Sequence, residues 1–401
     1  MSVPHVASAL TGATPTTPDA VSPPPRHPRF PLIDGVRAIA ALTVLVSHVV
    51  LLSLTGSSFG YGLLTHLNVG VTIFFVISGF LLYRPFVAHR RHGPAAPSFR
   101  DYARRRALRI LPAYWLALTV LTALPGVVGV SGGDWLPQYA LVHTFSFTQG
   151  PDSCEHAILS CGMAQTWSLA VEMTFYVALP LYVLTSERLA GWGRPSGWVV
   201  RELGLLALLS AISVWLHFST VGPLPSTLVD GSLLAFFLWF ALGMALAVIS
   251  VATAGAEPRP RPLAMVADHP GVVWLAAFAV YFVACRHLPP TPFIFDRAQQ
   301  LGAHLAFGLV ALLVVLPAVF STERAGAPGR ILSNPAVRWL GLVSYGIFLW
   351  HYAVTVELGS PGRGWSFLPL LLATLAISIA CAAASYYGVE RRMLKLKYRR
   401  T

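Results

Sequence analysis

Ten separate apolar runs, each about 18 to 25 residues long, follow one another along this 401-residue chain. They lie near 33–54, 68–88, 107–130, 166–185, 202–220, 229–252, 270–287, 300–320, 339–357 and 366–389. Runs of that length cross a hydrocarbon layer as helices, because in lipid every backbone N–H and C=O needs a partner within its own segment. The expected fold is all-α, a polytopic membrane helix bundle of about ten transmembrane helices. Composition agrees: 55% of residues are hydrophobic and 11% charged, against about 25% charged in an average soluble domain. The third and fifth runs are the least cleanly bounded. No internal repeat is visible, which weighs against a transporter built from duplicated halves.

Loop charge orients the bundle. With the N-terminus in the cytoplasm, 23 of the 28 Lys and Arg fall in inside segments and 3 in outside loops, while Arg37 and Arg109 lie at or within helices. That asymmetry predicts ten spans with both termini cytoplasmic. The net charge of +12 is then a loop bias and not a nucleic-acid footprint, so the expected partner is the lipid bilayer of the plasma or inner membrane. Residues 1–30 are rich in Pro, Ser, Thr and Ala and lack an apolar signal-peptide core. They read as a disordered cytoplasmic tail, followed by a transmembrane domain over 31–392 and a basic cytoplasmic tail over 393–401. Cys154 and Cys161 share the longest outside loop and either form a disulfide or stay free thiols. Cys285 and Cys381 read as packing residues.

Few ionisable groups lie inside the spans, which makes each one a functional candidate. His48 follows Asp34 by fourteen residues, about 21 Å along a helix and so in the outer half of the membrane. The fourth span runs inward from Thr166, putting Glu172 about 9 Å below the outer surface, near the depth of His48. Ser168 lies one turn above Glu172 on the same face. The ninth span carries Ser344, Tyr345 and His351. One polar layer holding Glu172, His48 and His351 is therefore expected, and a His–Glu pair there would fix the ring tautomer and raise its basicity. Interhelical hydrogen bonds that hold the bundle, or a proton or solute pathway, account for the same residues.

On the opposite side, Arg104 to Trp115 (RRRALRILPAYW) enters the third span. Arg104 and Arg105 read as positive-inside anchors. Arg106 and Arg109 share a helix face, and a guanidinium fork matches phosphate oxygens. Arg37 stands at similar depth, and Pro112 loosens the helix nearby. A phosphate-bearing donor with a long flexible arm, coenzyme A above all, would connect these arginines to His48.

Five segments carry a family resemblance. They are DGVRAIAALTVLVSHVV (Asp34, Arg37, His48), VGVTIFFVISGFLL (Gly70, Phe74, Phe75, Ser78, Gly79), RRRALRILPAYW (Arg106, Arg109), TWSLAVEMTFY (Trp167, Ser168, Glu172, Tyr176) and WLGLVSYGIFLWHYAV (Ser344, Tyr345, His351). In this order the chain resembles the membrane acyltransferase-3 family, ten-helix O-acyltransferases, from about residue 30 to 390. The resemblance implies an essential histidine at His48, donor-binding arginines at Arg106 and Arg109, and acyl-CoA supplied from the cytoplasm. Thr72 stands where many members carry Asp, and Phe348 where Tyr is common; neither is expected to touch the catalytic set. No hydrolase-like soluble domain follows the last span, so the expected likeness is to stand-alone members.

The resulting expectation is an integral membrane O-acyltransferase. It would move an acyl group, acetyl first, from acyl-CoA to a hydroxyl of a polysaccharide, peptidoglycan, glycolipid or macrolide-like product, without a metal. His48 is general base or acyl carrier, and Glu172 orients or polarises it. Arg106, Arg109 and Arg37 bind the donor. Ser168, Tyr176, Ser344, Tyr345 and His351 line the cavity. The reading from another class is a proton-coupled transporter using the Glu172/His48 layer, and a third is a catalytically idle assembly component.

Overall fold

A computed structural model describes residues 30–396, except 55, 57, 93–97, 125–134, 146–162, 190–196, 220–228, 230, 292–294, 323–325 and 360–362. Ten helices of spanning length are present among the described residues. They are α1 (Pro31–Ser53), α2 (Val69–His92), α3 (Phe99–Ala123), α4 (Trp167–Leu189), α5 (Trp198–Phe218), α6 (Leu233–Ala252), α7 (Pro270–His287), α8 (Arg297–Phe320), α9 (Pro335–Leu358) and α10 (Phe367–Ser385). Nine of the ten lie in segments long and apolar enough to cross a membrane. The exception is α3, whose first half holds Arg100 and Arg104 to Arg106. No strand occurs among the described residues, so the chain is all-α.

The helix starts follow local chemistry. Pro31 opens α1 and Pro335 opens α9 behind an Asn334 cap, positions where the missing N–H of proline costs nothing. Asp296 and Gln299 form a reciprocal capping box at the start of α8. The third span is displaced from its expected 107–130 to Phe99–Ala123. Ser98 caps it by accepting from Asp101 N, and arginine is a good helix former, so the charged turns join the helix. It stops at Leu124, which is extended because Pro125 follows.

Helix pairing rests on small residues at close crossings, the usual device where lipid removes the hydrophobic drive between helices. The broadest contact is α2 against α6. A Cβ at Gly79 would collide with the Phe240 carbonyl, and one at Gly243 with the Val76 carbonyl. The next is α1 against α9, where a Cβ at Gly341 would collide with the Asp34 carbonyl. These crossings put α1, α2, α6 and α9 at the centre. By contrast α7 and α10 expose Val272, Leu275, Phe278, Leu368 and Leu372, side chains suited to lipid.

Contacts between helix ends sort into two sets. At one end Arg90 of α2 pairs with Glu187 of α4 at 2.8 Å, and Arg91 lies over Trp198 of α5. Tyr83 of α2 and Tyr182 of α4 both donate to the buried Glu202 of α5, each at 2.5 Å. At the other end Thr65 donates to Pro290 O at 2.5 Å, and Arg297 of α8 donates to Phe218 O of α5 at 3.2 Å. These contacts set α2, α4 and α8 running in one direction and α5 and α7 in the other. Residues 1–29, the last residues of the basic tail from 397, and Cys154 and Cys161 lie outside the described residues.

Candidate active site

The two deep histidines meet. His48 Nδ1 of α1 lies 2.9 Å from His351 Nε2 of α9, and the rings stack with centroids 5.1 Å apart. His351 is fully buried, and its Nδ1 bonds to two carbonyls of its own helix, Phe348 O at 2.9 Å and Ile347 O at 3.1 Å. Carbonyls only accept, so His351 Nδ1 carries the proton. In the neutral pair His351 Nε2 is then a lone pair and His48 Nδ1 must donate to it. This leaves His48 Nε2 unprotonated, with its lone pair free for a reacting group. The ring is only half-buried, and the edge of Tyr352 braces it at 5.0 Å between centroids.

Glu172 is elsewhere. Its carboxylate accepts from Ser78 of α2 and is shared by the Tyr176 hydroxyl. Ser78 belongs to the stretch of α2 that faces the start of α1, where Phe80 meets Phe30 at 4.9 Å and Arg84 lies over Phe30. Arg37 and Arg106 both feel the Glu172 charge, whereas His351 is the charged or titratable neighbour that His48 feels. The expected single layer of Glu172 and His48 is therefore corrected to two levels, and the His–Glu pair is replaced by a His–His pair. The cause is the origin used to count depth. The start of α4 is not at the bundle surface: Gln165, just before it, reaches Phe348 O and Leu349 O of α9. Glu172 lies two turns further on, at the arginine level.

That second level gathers Arg37 from α1 and Arg106 and Arg109 from α3, with Asp34 and Glu172. All five are half-buried although they sit inside the bundle. Tyr345 of α9 ties α3 down beside Arg109 by donating to Ile110 O at 3.1 Å. Arg106 Nε is buried with no hydrogen-bond partner among the described residues. Arg37 precedes His48 by eleven residues, so the two levels are about 16 Å apart along α1.

Two expected cavity residues bond to nearby backbone. Ser168 donates to Gln165 O at 3.1 Å, and the fully buried Ser344 donates to Gly341 O at 2.8 Å. Phe348, set apart from the catalytic set on sequence grounds, lies 5.8 Å from the His351 ring and supplies the carbonyl that fixes its tautomer. Three further neighbours have no role assigned from the sequence. Ser78 lies in the quoted VISGFLL segment, but nothing local tells which carboxylate it meets. Gln165 falls just ahead of the quoted TWSLAVEMTFY. Glu390 is buried in the π-helical turn Tyr386–Glu390 that closes α10 and feels both Arg109 and Arg37. A scan for acids continued one residue past the tenth apolar run would have found it.

A turn of the long loop packs at the start of α4, where His143 Nε2 lies 3.3 Å from Thr166 Oγ1. Burial pulls the His143 imidazole down to about 4, so it is neutral at ordinary pH. An apolar groove between α5 and α6, lined by Leu206, Ser210, Leu242 and Leu305 among others, opens on the outside of the bundle. It holds no titratable group and is separate from both levels.

The acyltransferase-3 sequence profile, described as an acyltransferase domain, matches residues 30–387. The chain belongs to the acyltransferase-3 family. Among similar proteins is the peptidoglycan O-acetyltransferase OatA of Listeria monocytogenes, 26% identical over 81% of this chain and 49% of its own. Another is the putative peptidoglycan O-acetyltransferase YrhL of Bacillus subtilis, 26% identical over 91% of this chain and 55% of its own. A putative O-acetyltransferase of Staphylococcus aureus is 25% identical over 81% and 50%. The chain thus spans about half the length of these relatives. No solved structure matches it.

Proposed function

We propose that this acyltransferase-3 protein is a membrane O-acetyltransferase that moves an acyl group from acyl-CoA to a hydroxyl of a carbohydrate acceptor. The observation that carries the reading is the His48–His351 contact at 2.9 Å, because it holds a deep imidazole with a free Nε2 lone pair. The acceptor class follows the relatives, whose names specify peptidoglycan O-acetylation. The loop-charge asymmetry supports placing the arginine level on the cytoplasmic side and both termini inside.

The arginine level fits a phosphate-bearing donor. Three guanidinium groups converge there, and one buried Nε has no hydrogen-bond partner among the described residues. Arg106, Arg109 and Arg37 would hold the phosphates, with Glu172, Tyr176 and Glu390 fixing the guanidinium planes. An acyl thioester supplies the electrophilic carbonyl and a thiolate leaving group. His48 Nε2 takes the proton from the acceptor hydroxyl as its oxygen bonds to the acyl carbon and the C–S bond breaks. The proton on His48 then passes to the departing thiolate, returning the imidazole to its starting tautomer. His351 stays neutral throughout and holds His48 Nδ1–H.

Donor binding tests the arginine assignment. Acetyl-CoA at a hundredfold excess over its Kd should stabilise the purified protein by about 2.7 kcal/mol, read as a rise in Tm. The rise should be lost in Arg106→Ala and Arg109→Ala. Arg106→Lys should recover only part of it, since a point charge cannot replace a fork. Equal rises in wild type and both alanine variants would overturn the assignment.

A further inference from the structure

The chain leaves α10 through the π-helical turn Tyr386–Glu390, before a last short helix, Arg391–Leu396. In an α-helix, residues five apart lie about 140° apart around the axis. The i→i+5 pattern of a π turn brings them to one side, and Ser385 Oγ donates to Glu390 Oε1 at 3.3 Å. Three helices hold the turn. Tyr386 shares a buried cluster with Leu45 of α1 and Ile347 of α9. The Tyr387 hydroxyl accepts from Trp339 Nε1 of α9 at 3.0 Å, and the turn itself packs against α3. Glu390 is thereby buried at the arginine level, where Arg109 and Arg37 act on its charge. The Glu390 charge in turn acts on the Tyr345 hydroxyl, which binds Ile110 O next to Arg109.

The charges at this level cancel. Arg37, Arg106 and Arg109 are set against Asp34, Glu172 and Glu390, three guanidinium groups against three carboxylates. Cations inside a membrane bundle need such counter-charge while the site is empty. A donor phosphate brings its own negative charge, so in the filled site one carboxylate is surplus and repels it. The three carboxylates differ in how firmly they are held. Asp34 stands in the first turn of α1, where the helix N-terminus favours an anion. Glu172 accepts from Ser78 and Tyr176. Among the described residues Glu390 accepts from Ser385 alone, near the outer limit of a hydrogen bond. It also sits on a π turn, a rare geometry that recurs at functional sites.

We propose that Glu390 is a resident counter-ion of the donor site: its carboxylate balances Arg37 and Arg109 while the site is empty and is displaced when a phosphate group takes its place. This rests on the donor assignment above and adds an exchange step to it. Glu390 holds the guanidinium planes in the empty site, and the donor phosphates hold them in the filled one. Return of the turn toward α-helical register carries the carboxylate away from Ser385. Its reinsertion after transfer helps to expel the deacylated coenzyme A. A carboxylate that only oriented the arginines would have the opposite effect, since its loss would weaken donor binding.

Glu390→Gln keeps the size of the side chain and removes its charge. With purified protein and free coenzyme A, which binds without turnover, Kd should fall by about tenfold. Without ligand the variant should melt below wild type, because Arg37 and Arg109 lose counter-charge. At saturating coenzyme A that difference should narrow. Damage to the bundle does not tighten binding, so the sign of the change separates the exchange from a structural role. If Glu390→Gln does not insert, Ser385→Ala loosens the same carboxylate and should lower Kd by about twofold or more. An unchanged or raised Kd in the variant that inserts overturns the inference alone. Absence of coenzyme A binding by the wild-type protein would overturn the donor assignment, and this inference with it.

Discussion

Replacing His48 with alanine should lower acyl transfer by about 10²- to 10⁴-fold, the range for a positioned general base. Bundle stability and the acetyl-CoA-dependent rise in Tm should be retained. The expectation follows from the two levels. His48 contacts His351 and Tyr352 but is about 16 Å along α1 from Arg37, so its loss leaves the donor-phosphate site intact. His351 acts through His48. His351→Ala removes the lone pair that fixes the His48 tautomer and should reduce kcat with little change in either KM. His351→Gln offers an amide oxygen in place of that lone pair and should restore part of the rate. A structural role alone would not give this pattern, because both His351 variants lose the stacked ring and would lose stability alike. Full transfer by stably inserted His48→Ala would end the catalytic assignment.

Gly341→Leu should prevent correct assembly. A Cβ at Gly341 collides with the backbone of Asp34, so α9 and α1 must separate to admit any side chain. Overpacking a tight core contact costs about 1–3 kcal/mol when the neighbour is a yielding side chain. Here the neighbour is backbone in the middle of a helix pair, so a larger loss is expected. The same separation pulls His351 from His48, because α1 and α9 carry both the glycine crossing and the imidazole pair. Gly204→Leu on α5 is the control: nothing lies within 4 Å of a Cβ there, and the added side chain meets lipid. Gly341→Leu should aggregate or lose its folded peak on size-exclusion chromatography in detergent, while Gly204→Leu should elute as wild type. Normal elution and activity of Gly341→Leu would contradict the α1–α9 packing.

The helices were legible because length and hydropathy alone demand them in lipid, and boundaries such as Pro270–His287 agree with the apolar run of the same limits. The third span was misplaced because hydropathy discounts Arg104 to Arg106, whereas the Ser98 cap and Pro125 define the helix that contains them. His48, His351 and the arginines were visible as rare ionisable groups inside spans. Their pairing was not visible. Counting rise from the end of an apolar run assumes that the run starts at the membrane surface, and α4 starts inside the bundle beside Phe348. That one error moved Glu172 two helical turns, from the arginines to the histidines. The free Nε2 of His48 was beyond reach for another reason: it depends on which carbonyls His351 meets, a detail of rotamer and not of spacing. Gln165 and Glu390 meet their partners on distant segments, and neither position is unusual in its local sequence.

The proposed reaction is transfer of an acyl group from coenzyme A to an acceptor hydroxyl. Its most direct measurement uses purified protein in lipid nanodiscs, acetyl-CoA labelled in the acetyl group, and solubilised peptidoglycan glycan strands. Label should appear in the glycan, be released by mild alkali, as an ester requires, and depend on His48. Label that resists alkali, or no label in the glycan while wild-type protein binds acetyl-CoA, would contradict it.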